Sequence, residues 1–458
     1  MRIALVVPPD KSMKQGQYHD IPQLGVGYLA SCLLKAGYDC QVVDAKMKNW
    51  QKKDTVEKLR EIDPAIIGFS AMTHEIVICH DIAAAIKRHI PKAICVVGGW
   101  HVTALPARTM EEFPLFDYGV VGEGEETLEE LILALKGGLD ISSIEGLTFR
   151  KDGKVSVNPA RDFIKDLNAV PFPAWDLVPS THIYPMFTSR GCPFQCNFCM
   201  RSMGRRVRFR STESVMAELD TLITKFGARD IRFRDETFTM NRSRVIELLD
   251  KFLEYRINKK AAWSVTTHVS TVDEELLRRM KKAGCVSVGF GIESGNDGIL
   301  KRMGKSISVK KSKEAVAAAK RAGLKTGAFF ILGHPSETLK SIRDTQRLAV
   351  ELNTTTVNFG SMVPYPGTAL YDMALHGEGG YKIISYNWSD WNKYLGNAIE
   401  MEGLPRRLLE KEQMRGYILF YLKNLRLLDA LKFFWLHRGA IMAYCRRLLV
   451  RRGLTPSP

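Results

Sequence analysis

Residues 187–200 read F-T-S-R-G-C-P-F-Q-C-N-F-C-M and contain the most specific pattern in the chain. Cys192, Cys196 and Cys199 follow a predicted strand with the spacing C-x3-C-x2-C. Because soft thiolates suit iron–sulfur centres, three of them on one short loop can hold three irons of a cubane [4Fe-4S] cluster. A structural zinc site requires four closed ligands. Since no fourth cysteine is nearby in the sequence, the pattern predicts a cluster with one open, reactive iron.

Around this loop, residues 184–370 alternate short apolar β-rich runs with amphipathic helical stretches. Six such units predict parallel strands that close three-quarters of a TIM-type barrel, with functional residues at the carboxyl ends of the strands. The predicted strands cover residues 184–189, 230–234, 262–268, 287–291, 326–332 and 355–359. The predicted helices cover residues 212–226, 243–256, 273–284, 310–322 and 337–350. Thr271 and Glu274 are expected to form a capping box on the third helix.

The cysteine loop has Arg190-Gly191 before its first cysteine and Phe198 before its third, and it resembles the signature of the radical S-adenosylmethionine (SAM) superfamily. In that family the open iron binds the amino and carboxylate groups of SAM. One electron from the cluster then cleaves the sulfonium to a 5′-deoxyadenosyl radical. The resemblance implies that the three cysteines bind the cluster and that Phe198 packs near the adenine of SAM.

The ends of the other strands supply the SAM contacts that the resemblance implies. Asp235 and Glu236 are adjacent carboxylates after the second strand, which is costly unless they bind something, although acids at a helix start are the alternative. In the family a carboxylate here binds the SAM ammonium. His268 stands where relatives commonly have an arginine, so it is expected at the SAM carboxylate or at the substrate. Tyr365 is expected to border the substrate. Further SAM contacts are expected at Gly291, Glu293, Ser294 and Gly333.

Residues 1–140 also alternate strands and helices, which implies a parallel, doubly wound, Rossmann-like sheet. The strands are expected over residues 2–7, 40–43, 65–70, 93–97 and 118–121. Such sheets bind ligands at the carboxyl ends of their strands. The third strand ends in Ser70-Ala71-Met72 and the fourth in Gly98-Gly99. The two glycines indicate either room for a large, flat ligand or only a tight turn.

This serine and glycine pattern resembles the cobalamin-binding domain of the methionine synthase type. In that family the serine lies near the dimethylbenzimidazole tail of cobalamin and the glycines line its slot. The resemblance implies cobalamin contacts at Ser70, Met72, Gly98, Gly99 and His101. A histidine packed on its neighbour at a helix start explains His101 equally well. The D-x-H-x-x-G motif that supplies a cobalt ligand is absent, and His19 in the corresponding loop is interpreted as a surface residue, so the lower face of cobalamin is expected to lack a protein histidine.

Residues 141–183 separate the two α/β parts, with a hairpin that turns at Asp152-Gly153 and a proline-rich stretch after it. The predicted organisation is a cobalamin-binding domain, a linker, a radical SAM barrel and a basic helical region, over residues 1–140, 141–183, 184–370 and 371–458.

The composition limits the class of protein. A chain of 458 residues with 45% hydrophobic and 25% charged residues is not largely disordered. The sequence contains no run of 18 apolar residues, so no transmembrane helix is predicted. Three of the nine cysteines lie within eight residues, which argues against a secreted disulfide framework and favours the cytoplasm.

The net charge of +16 is concentrated in residues 405–458, which hold twelve Lys and Arg against three acids. These residues predict basic amphipathic helices, and two interpretations stay open. One is a helical cap on the open side of the barrel, and the other is contact with the inner membrane surface; both can hold. No nucleic-acid partner is expected, because no RNA-binding module is recognised.

Residues 1–370 together resemble the cobalamin-binding radical SAM enzymes. The resemblance implies a [4Fe-4S] cluster, SAM and cobalamin as cofactors, and a flavodoxin or ferredoxin as reducing partner. It implies methyl transfer from cobalamin to an unactivated carbon of a small or lipid-like substrate. The alternative is cyclisation or rearrangement, as in the anaerobic magnesium-protoporphyrin monomethyl ester cyclase or hopanoid-modifying types. A tRNA methylthiotransferase is less favoured, since a second cluster triad and a C-terminal RNA module are missing, and a non-catalytic sensor is the remaining alternative.

Overall fold

The computed structural model of the chain describes residues 1–9, 21–393, 398–436 and 438. His19 and the end of the basic tail lie outside these residues. No helix within them is both long and apolar enough to cross a membrane.

The first sheet contains seven strands, and helices cover both of its faces. Its strands are β1 (Arg2–Val7), β2 (Asp39–Asp44), β3 (Ile66–Ser70), β4 (Ile94–Gly98), β5 (Tyr118–Val120), β6 (Leu147–Lys151) and β7 (Lys154–Val157). They lie in the order β2-β1-β3-β4-β5-β6-β7, with the first five parallel. The covering helices are α1 (Leu24–Lys35), α2 (Lys52–Ile62), α3 (Ile76–Lys87), α4 (Trp100–Ala104), α5 (Pro106–Glu112) and α6 (Gly124–Gly137). This doubly wound order places a ligand-binding crevice at the carboxyl ends of β1 and β3.

The hairpin expected in the linker is part of this first sheet. β6 pairs antiparallel with β5, so the sheet extends into residues that the sequence assigned to a separate segment. Asp152 and Gly153 have φ angles of 51° and 75°, which is the backbone of the predicted two-residue turn. The sequence pattern identified the hairpin, but its pairing partner depends on which edge of the sheet is free.

The second sheet is the expected open barrel of six parallel strands. In chain order the strands after β7 are β8 (Ile183–Met186), β9 (Ser189–Arg190), β10 (Arg208–Phe209), β11 (Asp230–Phe233), β12 (Ala262–Thr267), β13 (Cys285–Glu293), β14 (Lys325–Leu332) and β15 (Thr356–Ser361). The barrel order is β15-β14-β13-β12-β11-β8, while β9 and β10 form a separate ribbon. The helices are α7 (Thr212–Thr224), α8 (Arg242–Glu254), α9 (Ile257–Lys260), α10 (Glu274–Lys282), α11 (Asp297–Arg302), α12 (Val309–Arg321) and α13 (Leu339–Leu352).

The cap of α10 differs from the expected capping box. Asp273, not Thr271, accepts a hydrogen bond from the backbone N–H of Leu276 at 2.8 Å. The Thr271 hydroxyl instead donates to the carbonyl of His268 at 2.8 Å, because a short 3-10 turn separates β12 from the helix.

The C-terminal region packs on the last barrel strand. It contains α14 (Ala369–Leu375), β16 (Tyr381–Ile383), β17 (Ile399–Met401), α15 (Arg406–Lys423) and α16 (Leu427–Leu436), so it is not purely helical. The Phe359 N–H of β15 donates to the Tyr417 hydroxyl of α15 at 3.0 Å, and the two rings lie 5.2 Å apart. α15 therefore covers the edge strand of the open barrel.

Candidate functional site

A cavity of about 520 Å³ lies between the carboxyl ends of the first sheet and the barrel. Ser70, Met72, Gly98 and Gly99 lie on its wall, so the fold brings together four of the five residues assigned to cobalamin. The barrel contributes Arg190 and other residues near the cysteine loop to the opposite wall. Within the described ranges, no histidine lines this cavity.

The two glycines on this wall, Gly98 and Gly99, are packed differently. A Cβ on Gly98 would meet Phe69 and Val120 at 3.9 Å, which is ordinary van der Waals contact without a clash. Gly99 has a φ of 99°, and a Cβ there would lie 2.7 Å from the carbonyl oxygen of Ala71. Close packing against the end of β3 therefore accounts for Gly99, whereas packing tolerates a side chain at Gly98, which lies on the cavity wall.

His101 does not line the cavity and is turned toward the C-terminal region. Its side chain is 1% exposed, and its ring lies 4.7 Å from Trp388 and 6.3 Å from Phe113. Burial lowers the pKa of His101 to about 3, with the Arg108 charge adding to the effect. The alternative of a packed histidine describes His101 better than a cobalamin contact.

Buried ion pairs join the cavity wall to the cysteine loop. Arg190 donates to Glu123 at 3.0 Å and to Glu125 at 2.8 Å, and its guanidinium lies over the Tyr28 ring. Arg208 donates to Glu123 at 2.7 Å. All four charged side chains are less than 10% exposed. Glu123 and Glu125 lie at the start of α6, where acids are common. They also pair with Arg190, two residues before Cys192, and so connect the first domain to the cysteine loop.

The cysteine loop is fixed by its backbone. The Cys192 N–H donates to the carbonyl of Gly204 at 3.0 Å, and the Asn197 N–H donates to that of Met303 at 3.0 Å. Gly191 has a φ of 102° and touches the Arg206 carbonyl closely enough to exclude any side chain. The structure leaves Cys192 half-buried, Cys196 buried and Cys199 exposed, all as free thiols.

The three thiols of the cysteine loop are free, and the Lys305 ammonium acts on the second of them. No three His, Cys, Asp or Glu side chains in the described part of the chain are arranged to hold a single metal ion. The irons of a cubane occupy separate corners, so the cysteines that bind it do not converge on one point. Burial raises the pKa of the Cys196 thiol, while the nearby Lys305 ammonium opposes that rise and favours the thiolate.

Asp235 and Glu236 have separate roles in the structure. Asp235 is 2% exposed and accepts hydrogen bonds from the backbone N–H groups of Thr188 and Ser189 at 2.8 and 2.5 Å. It holds the segment before the cysteine loop, so it is not open to SAM. Glu236 is exposed at the barrel mouth, and its carboxylate lies 3.3 Å from the Gly191 N–H. Of the two acids, only Glu236 is exposed, so it is the one that the prediction of a SAM ammonium contact can still concern.

Glu293 forms a buried ion pair that the sequence did not reveal. Its carboxylate lies 3.0 Å from the Lys305 ammonium, and both side chains are 9% exposed. Burial alone lowers the pKa of Lys305, but the Glu293 charge outweighs it and the pKa is raised. A side chain on Gly291 would displace the ends of both side chains of this pair, so Gly291 leaves room for the ion pair. Ser294 is fully buried, with its hydroxyl 3.3 Å from Thr345 of α13, and does not face the mouth.

His268 offers a free hydrogen-bonding atom beside the cysteine loop. Its ring stacks on Phe194 with the centroids 3.8 Å apart, and its Nδ1 lies 2.6 Å from the Ser270 hydroxyl. Its Nε2 is buried without a partner. Burial lowers the pKa of His268 to about 3, followed by the effect of the Lys305 charge. A neutral imidazole with one unpaired nitrogen fits a ligand that the residues alone do not supply.

Gly333 packs against the C-terminal helix pair. A Cβ there would lie 2.9 Å from Leu409 of α15, so packing against α15 accounts for this glycine, and the SAM contact at Gly333 stays a prediction. The next residue, His334, has its Nε2 3.3 Å from the Asn197 amide of the cysteine loop. His334 therefore connects the end of β14 to the predicted cluster site.

Tyr365 lies in a turn that contacts both parts of the site. The turn is closed by the Thr368 hydroxyl, which donates to the Tyr365 carbonyl at 2.7 Å. A Cβ on Gly367 would lie 3.2 Å from Ala104 of the first domain and 3.3 Å from Met200, which follows Cys199. Phe198 is half-buried against the core. The predicted substrate residue is thus near the end of the cysteine loop.

The comparisons with known proteins agree with this arrangement. Residues 186–349 match the radical SAM superfamily, and residues 17–132 match the B12 binding domain. The chain is 33% identical to the uncharacterized methyltransferase PH0819 of Pyrococcus horikoshii, over 98% of both chains. It is 29% identical to the anaerobic magnesium-protoporphyrin IX monomethyl ester cyclase of Cereibacter sphaeroides, over 93% of this chain and 71% of the cyclase.

A solved structure shares the whole architecture. The radical SAM methyltransferase TsrM of Kitasatospora setae, solved with cobalamin and a [4Fe-4S] cluster, superposes with a TM-score of 0.72 and 19% identity. The match covers 90% of each chain. At this identity, the likeness shows the fold.

Proposed function

This chain belongs to the cobalamin-binding radical SAM enzymes, and on that premise we propose that it transfers a methyl group to an unactivated carbon of a small or lipid-like substrate. The observation that carries the proposal is the direct connection between the cavity and the cysteine loop, made by Arg190 and Glu123 at 3.0 Å. When bound, the cluster, SAM and cobalamin supply the radical and the methyl group.

The chain's own residues would bind and orient these groups. Cys192, Cys196 and Cys199 would hold the cluster, with Phe198 near the adenine of SAM. Glu236 would accept a hydrogen bond from the SAM ammonium. His268, neutral at physiological pH, would donate or accept one hydrogen bond through its unpaired Nε2.

The cavity wall would hold cobalamin. Ser70 and Gly98 lie at the paired ends of β3 and β4, where the flat face of a large ligand can approach the backbone. Met72 and Trp100 are 39% and 49% exposed on the same wall and offer apolar contact. The Tyr365 turn would border the substrate.

The reducing partner in this proposal is a flavodoxin or ferredoxin. Arg205 and Arg206 are exposed directly after the cysteine loop, and Lys301 and Arg302 are exposed on α11, whose end contacts that loop. Exposed cations near a redox centre favour an acidic electron donor by electrostatic steering. Contact of the C-terminal helices with a membrane surface belongs to the same proposal.

Anaerobic reconstitution with iron, sulfide and hydroxocobalamin, followed by desalting, tests the proposal. We expect about four irons and one cobalamin per chain. A variant with all three triad cysteines changed to Ala should lose the iron and keep cobalamin, whereas the control Cys95→Ala, in the core, should keep both. Two results would contradict the proposal. One is reductive SAM cleavage by the triple variant, and the other is a wild-type protein that retains no cobalamin after reconstitution and desalting.

Radical cyclisation is the second candidate, because a relative that matches 93% of this chain is named a cyclase. The two reactions differ in the fate of the SAM methyl group. Isotope-labelled methyl from SAM appears in the product of a methyltransferase and not in that of a cyclase.

A further inference from the structure

The outer face of the C-terminal helix pair is apolar and exposed. On α15 and the turn after it, Leu422 and Leu425 are 52% and 86% exposed. On α16, Leu428, Leu431 and Trp435 follow at helical spacing and are 82%, 68% and 68% exposed. We call these five residues the outer apolar face. Single exposed apolar residues are ordinary, but four leucines and a tryptophan exposed along one helix pair indicate an interaction site.

The helix pair is held rigidly from its inner side. Phe433 of α16 packs against Tyr417 and Tyr421 of α15, with ring centroids 4.5 and 5.4 Å apart. Arg426 in the connecting turn donates to the carbonyls of Thr354 and Thr355 at 2.6 and 2.7 Å. The outer apolar face therefore cannot turn inward without breaking these contacts.

Cations surround this face. Lys423 and Lys432 are exposed beside it, and the exposed Arg438 lies 4.5 Å over the Trp435 ring. Residues 430–458 of the sequence contain six Lys and Arg and no Asp or Glu. Asp429, paired with Arg426 at 2.6 Å, is the last acid of the chain.

We propose that the outer apolar face docks on an anionic phospholipid surface. Apolar side chains at the centre and cations at the edge match the acyl boundary and the negative headgroups of such a membrane. A second copy of this face, or the basic tail after residue 438, would bring cations against cations. The inference rests on the membrane contact proposed above and adds the face and the lipid chemistry.

Membrane contact through the outer apolar face is consistent with the proposed lipid-like substrate. α15 packs on β15 and its Leu409 reaches Gly333 at the end of β14, so the helix pair connects the outer face to the carboxyl end of the barrel. A membrane-bound enzyme would then hold this end of its barrel close to a substrate that partitions into lipid.

Vesicle flotation of the full-length reconstituted protein tests the proposal. We expect binding to mixed phosphatidylglycerol and phosphatidylcholine vesicles that weakens with salt, and little binding to phosphatidylcholine alone. Leu428→Glu with Leu431→Glu should weaken binding about tenfold or more. Lys423→Gln with Lys432→Gln should weaken it about fivefold per charge without disturbing the apolar face. The control Leu133→Glu, at an exposed leucine of α6 in the first domain, should bind as wild type.

The outcomes separate this inference from the proposed chemistry, because flotation needs no turnover and cofactor loading is measured on the same samples. No binding to anionic vesicles, or equal binding by the double glutamate variant, would overturn it. A concentration-dependent dimer that this variant disperses would assign the face to a second copy instead. A lower melting temperature of the variant with unchanged flotation would assign it to the chain's own tail.

Discussion

His101 is held as a neutral imidazole beside Trp388, and burial lowers its pKa to about 3. The unfolded chain gives histidine a pKa near 6.5, so the two states bind protons equally above that value. As the pH falls from 6.5 toward 3, only the unfolded state gains the proton, and the folded state loses stability.

We expect His101→Leu to remove this acid sensitivity. Between about pH 7 and pH 5, the free energy of unfolding should fall by about 2 kcal/mol less in the variant than in the wild type. Urea unfolding at the two pH values measures the difference. His89→Gln, at an exposed histidine of the same domain, should leave the pH profile unchanged. Parallel profiles for His101→Leu and wild type would show that His101 is already paired or charged.

Lys305 neutralises a buried carboxylate at the barrel mouth. Changing Lys305 to Met leaves Glu293 buried without its cation, and we expect a loss of about 3–5 kcal/mol in the free energy of unfolding. The control is Lys313→Met, which breaks the half-exposed pair with Glu351 and should cost less than about 1 kcal/mol. Equal effects of the two changes would show that the Glu293 pair is solvated.

At the scale of one element, the carboxyl end of β4 contains two adjacent glycines with different constraints. Gly99→Ala meets both a φ of 99° and the Ala71 backbone, and we expect it to cost about 2–4 kcal/mol of stability. Gly98→Ala should change stability by less than about 1 kcal/mol, since the added methyl would make only ordinary contacts at 3.9 Å.

Although Gly98→Ala should leave stability nearly unchanged, we expect it to weaken cobalamin binding. Gly98→Ala narrows the wall where a ligand would approach, so the affinity for hydroxocobalamin should fall while the melting temperature stays the same. Equilibrium dialysis and thermal unfolding of the same variant measure the two quantities. Unchanged affinity would place cobalamin away from Gly98.

At the scale of the whole molecule, Glu123 connects the two α/β parts by accepting from both Arg190 and Arg208. Burial by itself raises the pKa of Glu123, but the Arg208 hydrogen bond and the Arg190 charge outweigh it and lower that pKa. The stability it contributes is therefore present above the ordinary glutamate range and is lost as the pH falls below about 4.

We expect Glu123→Gln to lower both stability and cofactor binding. Two buried guanidinium groups would lose their shared carboxylate, at a cost of about 3–5 kcal/mol. Because both arginines flank the cysteine loop, iron retention should fall together with cobalamin affinity. The matched control is Glu126→Gln on α6, the helix that follows Glu123. The Glu126 side chain, which pairs with Arg161, is 56% exposed, so this change should affect neither quantity.

The sequence by itself determined the two α/β parts, the succession of strands along the chain and the cysteine loop. These features depend on local patterns: apolar runs of strand length, helical periodicity, turn residues and the spacing of three thiols. The strand boundaries in the structure differ from the predicted ones by a few residues at most. The same local logic placed Glu236 at the barrel mouth and Gly98 on the cavity wall.

Only the tertiary structure decided which side chains face the site. Lys305, Phe194 and His334 were not singled out individually from the sequence, and each contacts a residue of the site that is more than ten positions away in the chain. Asp235, Ser294 and His101 matched family positions but point into neighbouring structure. The direction of a side chain after a strand end depends on what packs against it, and that packing is set by the whole fold rather than by adjacent residues.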